Sequence, residues 1–400
     1  MAKGKVPEGE ALHLDRSTPT VEGKYYRLQL DPQSGAVAHL IDKSTGRDLV
    51  NSDSPYRMSE YLYVAGGDPG GFIPGSINDN RLASADATLP VPELTVNRQT
   101  LVGAPEVRRF PWGTVITVRA KASNTPEIVS TITLNDELKL VTFHNEVEKV
   151  ATMKKEGIYF AFPFAVQQPQ VKVQGATAWL DPEADMLPGA NRQWFTTQGG
   201  VWVKDTNGSV AWATVDAPLI TPEDINRGLW PDSIQIRNGT VFSYAMNNYW
   251  YTDTPAQQGG RFTFRYALTS APDLSLAQAA RLASEQRSPL PAIRHYHKEW
   301  KQTLPVTGAG FLSASPAGVT VLTVRPLAAK STYLVRVHNS TPQELTATLQ
   351  FPMIQLEDAY LGSVLGERSG AVEWDPNRVK LPLNRYAIMS LVVRVKRSRE

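Results

Sequence analysis

The chain has 400 residues and no cysteine, which excludes a disulfide framework, a thiol nucleophile and zinc sites built on thiolates. Its 41 basic and 39 acidic side chains nearly cancel, for a net charge of +2, so nothing in the bulk charge draws it to nucleic acid or a membrane surface, and neither is expected as a partner. The 28 Gly and 29 Pro point to many turns, and the apolar runs are too short for a transmembrane helix. Met1 to Ser17 is polar and lacks an apolar h-region, so no signal peptide is expected. The compartment stays open, the cytoplasm being favoured for a soluble chain.

Tyr25 to Leu30 alternates with period two and predicts a half-buried strand. Asp31-Pro32-Gln33-Ser34-Gly35 is turn chemistry, and Ala36 to Ile41 returns as a second strand, so residues 25–41 predict a β-hairpin. Residues 51–92 are rich in Gly, Pro, Asn, Asp and Ser and predict a long irregular excursion, of the kind that is functional or mobile. Strands follow at 94–101, 114–122, 127–134, 138–147 and 157–165, then at 200–204, 209–215, 241–245 and 261–268. So many strands must close into a barrel or stack as two sheets. Residues 24–271 are read as one large sandwich after an N-terminal arm, 1–23. Helical spacing has clear caps once: Asp273 or Ser275 can cap a helix over 276–286, ended by Pro289 and Pro291. A second short helix is predicted over 292–301, making 272–304 a helical linker. Strands near 319–324, 332–338, 345–351 and 387–395 place a small β-sandwich at 305–400. The predicted fold class is all-β.

No phosphate loop, nucleophile elbow or His-Glu-x-x-His motif occurs. Of the six histidines, His13, His39, His144, His295, His297 and His338, only His295 and His297 are close. Two apart on a helix they diverge, so no metal site is expected there. His144 lies inside a predicted strand and reads as a satisfied sheet residue. Asp181, Glu183 and Asp185 cluster within five residues. Two carboxylates about 5–10 Å apart across a cleft would suit glycoside hydrolysis; a solvated acidic turn is the alternative. The loop that follows carries Asn191, Arg192 and Trp194. Amide and guanidinium groups bind hydroxyls, and indole offers an apolar face to a sugar ring. Alternatively, Arg192 pairs with the nearby acids and braces the loop. Asn247, Asn248, Tyr249 and Trp250 end a strand with amides beside aromatics, which suits carbohydrate contact or an aromatic plug.

Four segments, in this order and spacing, carry a resemblance: Ile158-Tyr159-Phe160-Ala161-Phe162-Pro163-Phe164; Leu187-Pro188-Gly189-Ala190-Asn191-Arg192-Gln193-Trp194-Phe195; Ala213-Thr214-Val215-Asp216-Ala217-Pro218-Leu219; and Met246-Asn247-Asn248-Tyr249-Trp250. Together they resemble the C-terminal half of glycoside hydrolase family 38 α-mannosidases, in particular a bacterial branch. The opening, Tyr25 to Asp31 with Gly35 and Ile41-Asp42-Lys43, is similar to the start of that family's large β-domain.

The resemblance implies a large supersandwich of the galactose-mutarotase type, a short helical linker and a small terminal β-sandwich. It implies a mannose-containing glycan as ligand and Pro188–Trp194 and Asn247–Trp250 as loops at the rim of an active site. In the family the nucleophile and zinc site belong to an N-terminal (β/α) barrel. Their motifs match no residue here, so no catalytic residue is carried over, no cofactor is expected in this chain, and zinc is expected only in the barrel. The partner would be a catalytic-barrel chain or another copy of this one, and the chain alone is expected to be inactive. Two other readings stay open: a self-sufficient carbohydrate epimerase or lyase, which needs a general acid and base in one cleft and would be supported by His144, Glu183 or Asp185 close to Arg192, and a non-enzymatic carbohydrate-binding or interaction module.

Overall fold

The computed structural model describes residues 9–12, 19–66, 94–227, 231–248, 257–291 and 310–396. The fold is all-β, and the described residues fall into two compact units. The larger takes those up to 175, with 180–274 and 282–287; the smaller takes 176–179, 275–281 and those from 288 onward. No helix among the described residues is long and apolar enough to cross a membrane.

The larger unit is built on three antiparallel sheets. An eleven-stranded sheet runs from Glu10–Leu12 through Glu106–Phe110, Gly113–Ala122, Thr125–Asn135, Val141–Lys149, Gly260–Ala271, Gly208–Thr214 and Gly200–Asp205 to Gln170–Gln174 and beyond. A six-stranded sheet has the order Phe195–Thr196, Leu219–Pro222, Asn238–Asn247, Glu156–Gln167, Glu60–Gly66, Leu94–Arg98. A four-stranded sheet joins Thr20–Glu22, Tyr26–Leu30, Val37–Asp42 and Arg47–Asp48. Ile128, Ile132 and Leu134 alternate into the core from Thr125–Asn135, so the two-residue period of a pleated strand selects which face is buried.

The two larger sheets meet through aromatic side chains. Phe162 packs edge-on to Phe143 at 5.7 Å and lies 5.0 Å from both Trp212 and Tyr266. Phe160 packs against Phe264 and Tyr266 at 5.6 and 5.5 Å. Such rings bury the most apolar area per residue and hold each other's orientation. In Glu156–Gln167 the first nine residues are all buried, because a second apolar cluster covers the strand's other face: Leu62, Val64, Tyr159, Phe242 and Tyr244, with Trp194 packed against it.

The four-stranded sheet is tied to the eleven-stranded one by a buried polar knot. Asp42 accepts from Lys139 Nζ at 2.7 Å and from Ser270 Oγ at 2.6 Å. Ser270 N donates to the Tyr26 hydroxyl at 3.1 Å. Burial works against the Asp42 carboxylate, but Lys139, Ser270 and Ser44 outweigh it and hold its pKa below the ordinary value. Burial pushes the Tyr26 phenol up to about 12.

The smaller unit is a sandwich of two sheets. One joins Ser313–Ser315, Leu345–Gln350, Arg378–Leu383 and Glu373–Asp375; the other joins Val319–Pro326, Thr332–Asn339, Ile388–Val395, Leu356–Gly362 and Arg368–Ala371. Val335, Val337, Leu391 and Val393 of the second face Leu349, Val379 and Leu381 of the first. The helix Leu276–Arg287 is capped by Ser275, not Asp273: Gln278 N donates to Ser275 Oγ at 3.2 Å, and Ser275 N donates back to Gln278 Oε1 at 2.8 Å. This reciprocal cap satisfies two amides that a helix start leaves open.

The structure corrects three expectations. Residues 51–92 are not irregular throughout, because Glu60–Gly66 is an interior strand of the six-stranded sheet. The stretch before residue 24 is not only an arm, since Glu10–Leu12 and Thr20–Glu22 pair into sheets. The strand expected over 94–101 is two, Leu94–Arg98 and Thr100–Leu101, which join different sheets. The helix expected over 292–301 and the 67–92 part of the excursion lie outside the described residues.

Candidate functional site

The strand Asn238–Asn247 organises the site expectations, because one candidate segment lies at each of its ends. At the start, Asn238 lines a cleft of ≈ 480 Å³ with Arg192, Glu223, Asp224, Arg227 and Arg237. At the finish, Asn247 pairs with Gly157 and leads into Asn248. Nine steps of about 3.3 Å separate the ends by roughly 30 Å. The structure therefore does not bring Arg192 and Asn248 together in one pocket.

At the first end the 186–194 loop is held by its own side chains. Arg192 is buried, and its guanidinium donates to the backbone carbonyls of Ala190, Met186 and Leu187 at 3.1, 3.3 and 3.3 Å. Asn191 Nδ2 donates to Trp194 O at 3.0 Å, and its Oδ1 accepts from Gln193 N at 3.0 Å. Trp194 packs on the outer apolar cluster of the six-stranded sheet. Arg192 braces the loop, as the non-functional reading of its residue type allowed, but through carbonyls rather than through acids.

The acids are engaged elsewhere. Asp181 accepts from Lys172 Nζ at 2.7 Å and from the amides of Glu183 and Ala184. Burial opposes its charge, yet these donors keep its pKa below the ordinary value. Asp185 Oδ2 accepts from Asp181 N at 2.7 Å, and Glu183 Oε1 from Ile236 N at 3.0 Å. His144 lies on the eleven-stranded sheet, paired across from Thr131 and Arg265, with Glu146 at 3.6 Å. Neither His144 nor Asp185 bonds Arg192, and Glu183 meets the Arg192 cleft only through Ile236, which lines it.

The charges that do face the cleft are ones the sequence did not single out. Asp224 and Arg227 form a two-point pair, Nε to Oδ2 at 2.5 Å and Nη2 to Oδ1 at 3.3 Å, and Asp224 raises the guanidinium's pKa. Nearby Tyr56 is raised by burial and then by Asp224. Gln193 lines the same cleft, and its Oε1 is buried with no hydrogen-bond partner. The only sequence signal for this set was an ordinary Asp-x-x-Arg spacing.

At the second end, Asn248 Nδ2 donates to the carbonyls of Thr152 and Lys154 at 2.9 and 3.0 Å, and its amide donates to Glu156 O at 2.8 Å. Asn248 therefore shapes the 150–155 turn. Asn247 Oδ1 is buried without a partner. Beneath them Lys149 and Glu156 form an ion pair with both side chains almost fully buried. Lys149 Nζ also reaches Gln258 O at 2.8 Å, and Asn124 Nδ2 reaches Glu156 Oε2 at 3.3 Å. These bonds compensate the burial of two charges. Tyr249 and Trp250 lie outside the described residues. Among the described residues no three His, Asp or Glu side chains converge as a metal site requires.

No protein-family model and no curated protein matches the chain. Solved structures do. An α-mannosidase from Enterococcus faecalis V583 superposes with a TM-score of 0.66 at 15% identity, over 98% of this chain and 43% of that one. A protein of glycosyl hydrolase family 38 from Enterococcus faecalis does so with a TM-score of 0.62 at 16% identity, over 98% and 45%. The chain thus spans less than half the length of each of these proteins, and what it shares with the matched part of each is the fold.

Proposed function

We propose that this chain is the β-rich, non-catalytic region of a family 38-type α-mannosidase, corresponding to its C-terminal part. In this reading it binds a mannose-containing glycan through the loops at Asn191–Trp194 and Asn247–Trp250. A (β/α) barrel, on the same polypeptide or on a separate chain, carries the nucleophile and zinc. The observation that carries the reading is the likeness in fold to an α-mannosidase over 98% of the chain.

The roles divide by chemistry. Asn191, Arg192 and Asn248 fix loop shape, so their contribution is positioning. Trp194, Tyr249 and Trp250 offer ring surface to a pyranose. The test is direct: with zinc and an aryl α-mannoside the chain alone should give no turnover, and enzyme-like turnover would overturn the non-catalytic assignment. Trp250→Ala should weaken binding on a mannose-bearing glycan array; unchanged binding would remove the second loop from the site.

A further inference from the structure

The four-stranded sheet carries a second polar cleft on its outer face, about 360 Å³ in volume and lined by Thr20, Arg27, Gln29, His39 and Ile41. Register builds it. Thr20 pairs with Gln29, and Gln29 with His39, so three polar side chains stand in one row across three strands. Arg27 pairs with Ile41, one pleat along on the same face.

His39 is oriented. Its Nδ1 lies 2.5 Å from Asp48 Oδ2, and Asp48 Oδ1 accepts from the amides of Leu40 and Val50 at 3.1 and 3.0 Å. A carboxylate fixed by two amides only accepts, so Nδ1 carries a proton toward Asp48 and Nε2 is the ring nitrogen left for a ligand hydroxyl. Arg27 is open. Glu22 is taken by Lys43 at 3.1 Å, and among the described residues Arg27 keeps only a 3.9 Å contact to Glu22 through Nε. Its Nη fork is therefore available to a planar carboxylate.

We propose that this face binds a hexuronate-type sugar acid. Its carboxylate would sit on Arg27, its hydroxyls on Gln29, Thr20 and His39 Nε2, and an apolar ring face on Ile41. The volume suits one monosaccharide, at the small end of ligand clefts. The site is independent of the mannosidase reading and stands or falls without it.

The test is a titration of the isotope-labelled full chain with glucuronate, followed at the His39 ring signals and by calorimetry. Saturable shifts at His39 are expected, with glucose leaving them in place at the same concentration. Arg27→Ala should weaken binding about tenfold or more, and Arg27→Lys by less, each with an unchanged circular dichroism spectrum. The proposal is overturned if His39 does not respond, if glucose binds as tightly as glucuronate, if Arg27→Ala keeps full affinity, or if glucose 6-phosphate binds more tightly than the carboxylate.

Discussion

Arginines line both clefts of the larger unit, and two of them, Arg192 in one and Arg27 in the other, do opposite things. Arg192 has its guanidinium consumed by three carbonyls of its own loop. Arg27 stands half-exposed with its fork open. The side chain is the same; the difference lies in whether the local backbone has already claimed the donors. An arginine that has spent its hydrogen bonds internally shapes a site, and one that has not can recognise a ligand.

Variants can break or sharpen this contrast. The largest effect is expected where a buried charge is tied down, on the inner face of the strand that presents His39 outward. Asp42→Asn should destabilise the chain by about 3 kcal/mol, measured by urea unfolding at neutral pH. The folded pKa of Asp42 is lowered, so its stabilisation is present above the unfolded pKa and is lost as pH falls through the folded one. The variant should therefore show a flatter acid limb of stability against pH, and an unchanged limb would show that the knot does not hold. Arg192→Ala should come next, at about 2 kcal/mol, because it leaves three carbonyls without a donor. Asn248→Ala should lose about 1 kcal/mol, together with order in the 150–155 turn. Arg27→Ala should change stability by less than about 0.5 kcal/mol. A loss for Arg27 as large as that for Arg192 would erase the distinction between the two clefts.

The sequence showed the alternating strands well. Gly113–Ala122 and Thr125–Asn135 bury one face each, and their period is visible without any partner. It hid Glu60–Gly66. That strand starts with a carboxylate and is followed by a Gly-rich run, so it reads as loop. In the fold Glu60 is fully buried against Arg98, with bonds of 2.6 and 2.9 Å from thirty-eight residues away. Burial raises the Glu60 pKa despite that partner. The sites were legible as residue types but not as bonding. Asn191, Arg192 and Asn248 look the same in sequence whether they face a sugar or a carbonyl. The His39 row went unread for another reason. It depends on the register of three strands and on an aspartate nine residues further on, and no local spacing encodes that.

The unbroken burial of the first nine residues of Glu156–Gln167 has a kinetic consequence. A strand covered on both faces and paired on both edges has no local route to solvent. Its amides should exchange with deuterium only when the larger unit opens as a whole, while those of the edge strand Thr20–Glu22 exchange by fraying. The slowest-exchanging amides would then mark the strand beside Asn238–Asn247, a rigid backing for the strand whose two ends carry the candidate segments.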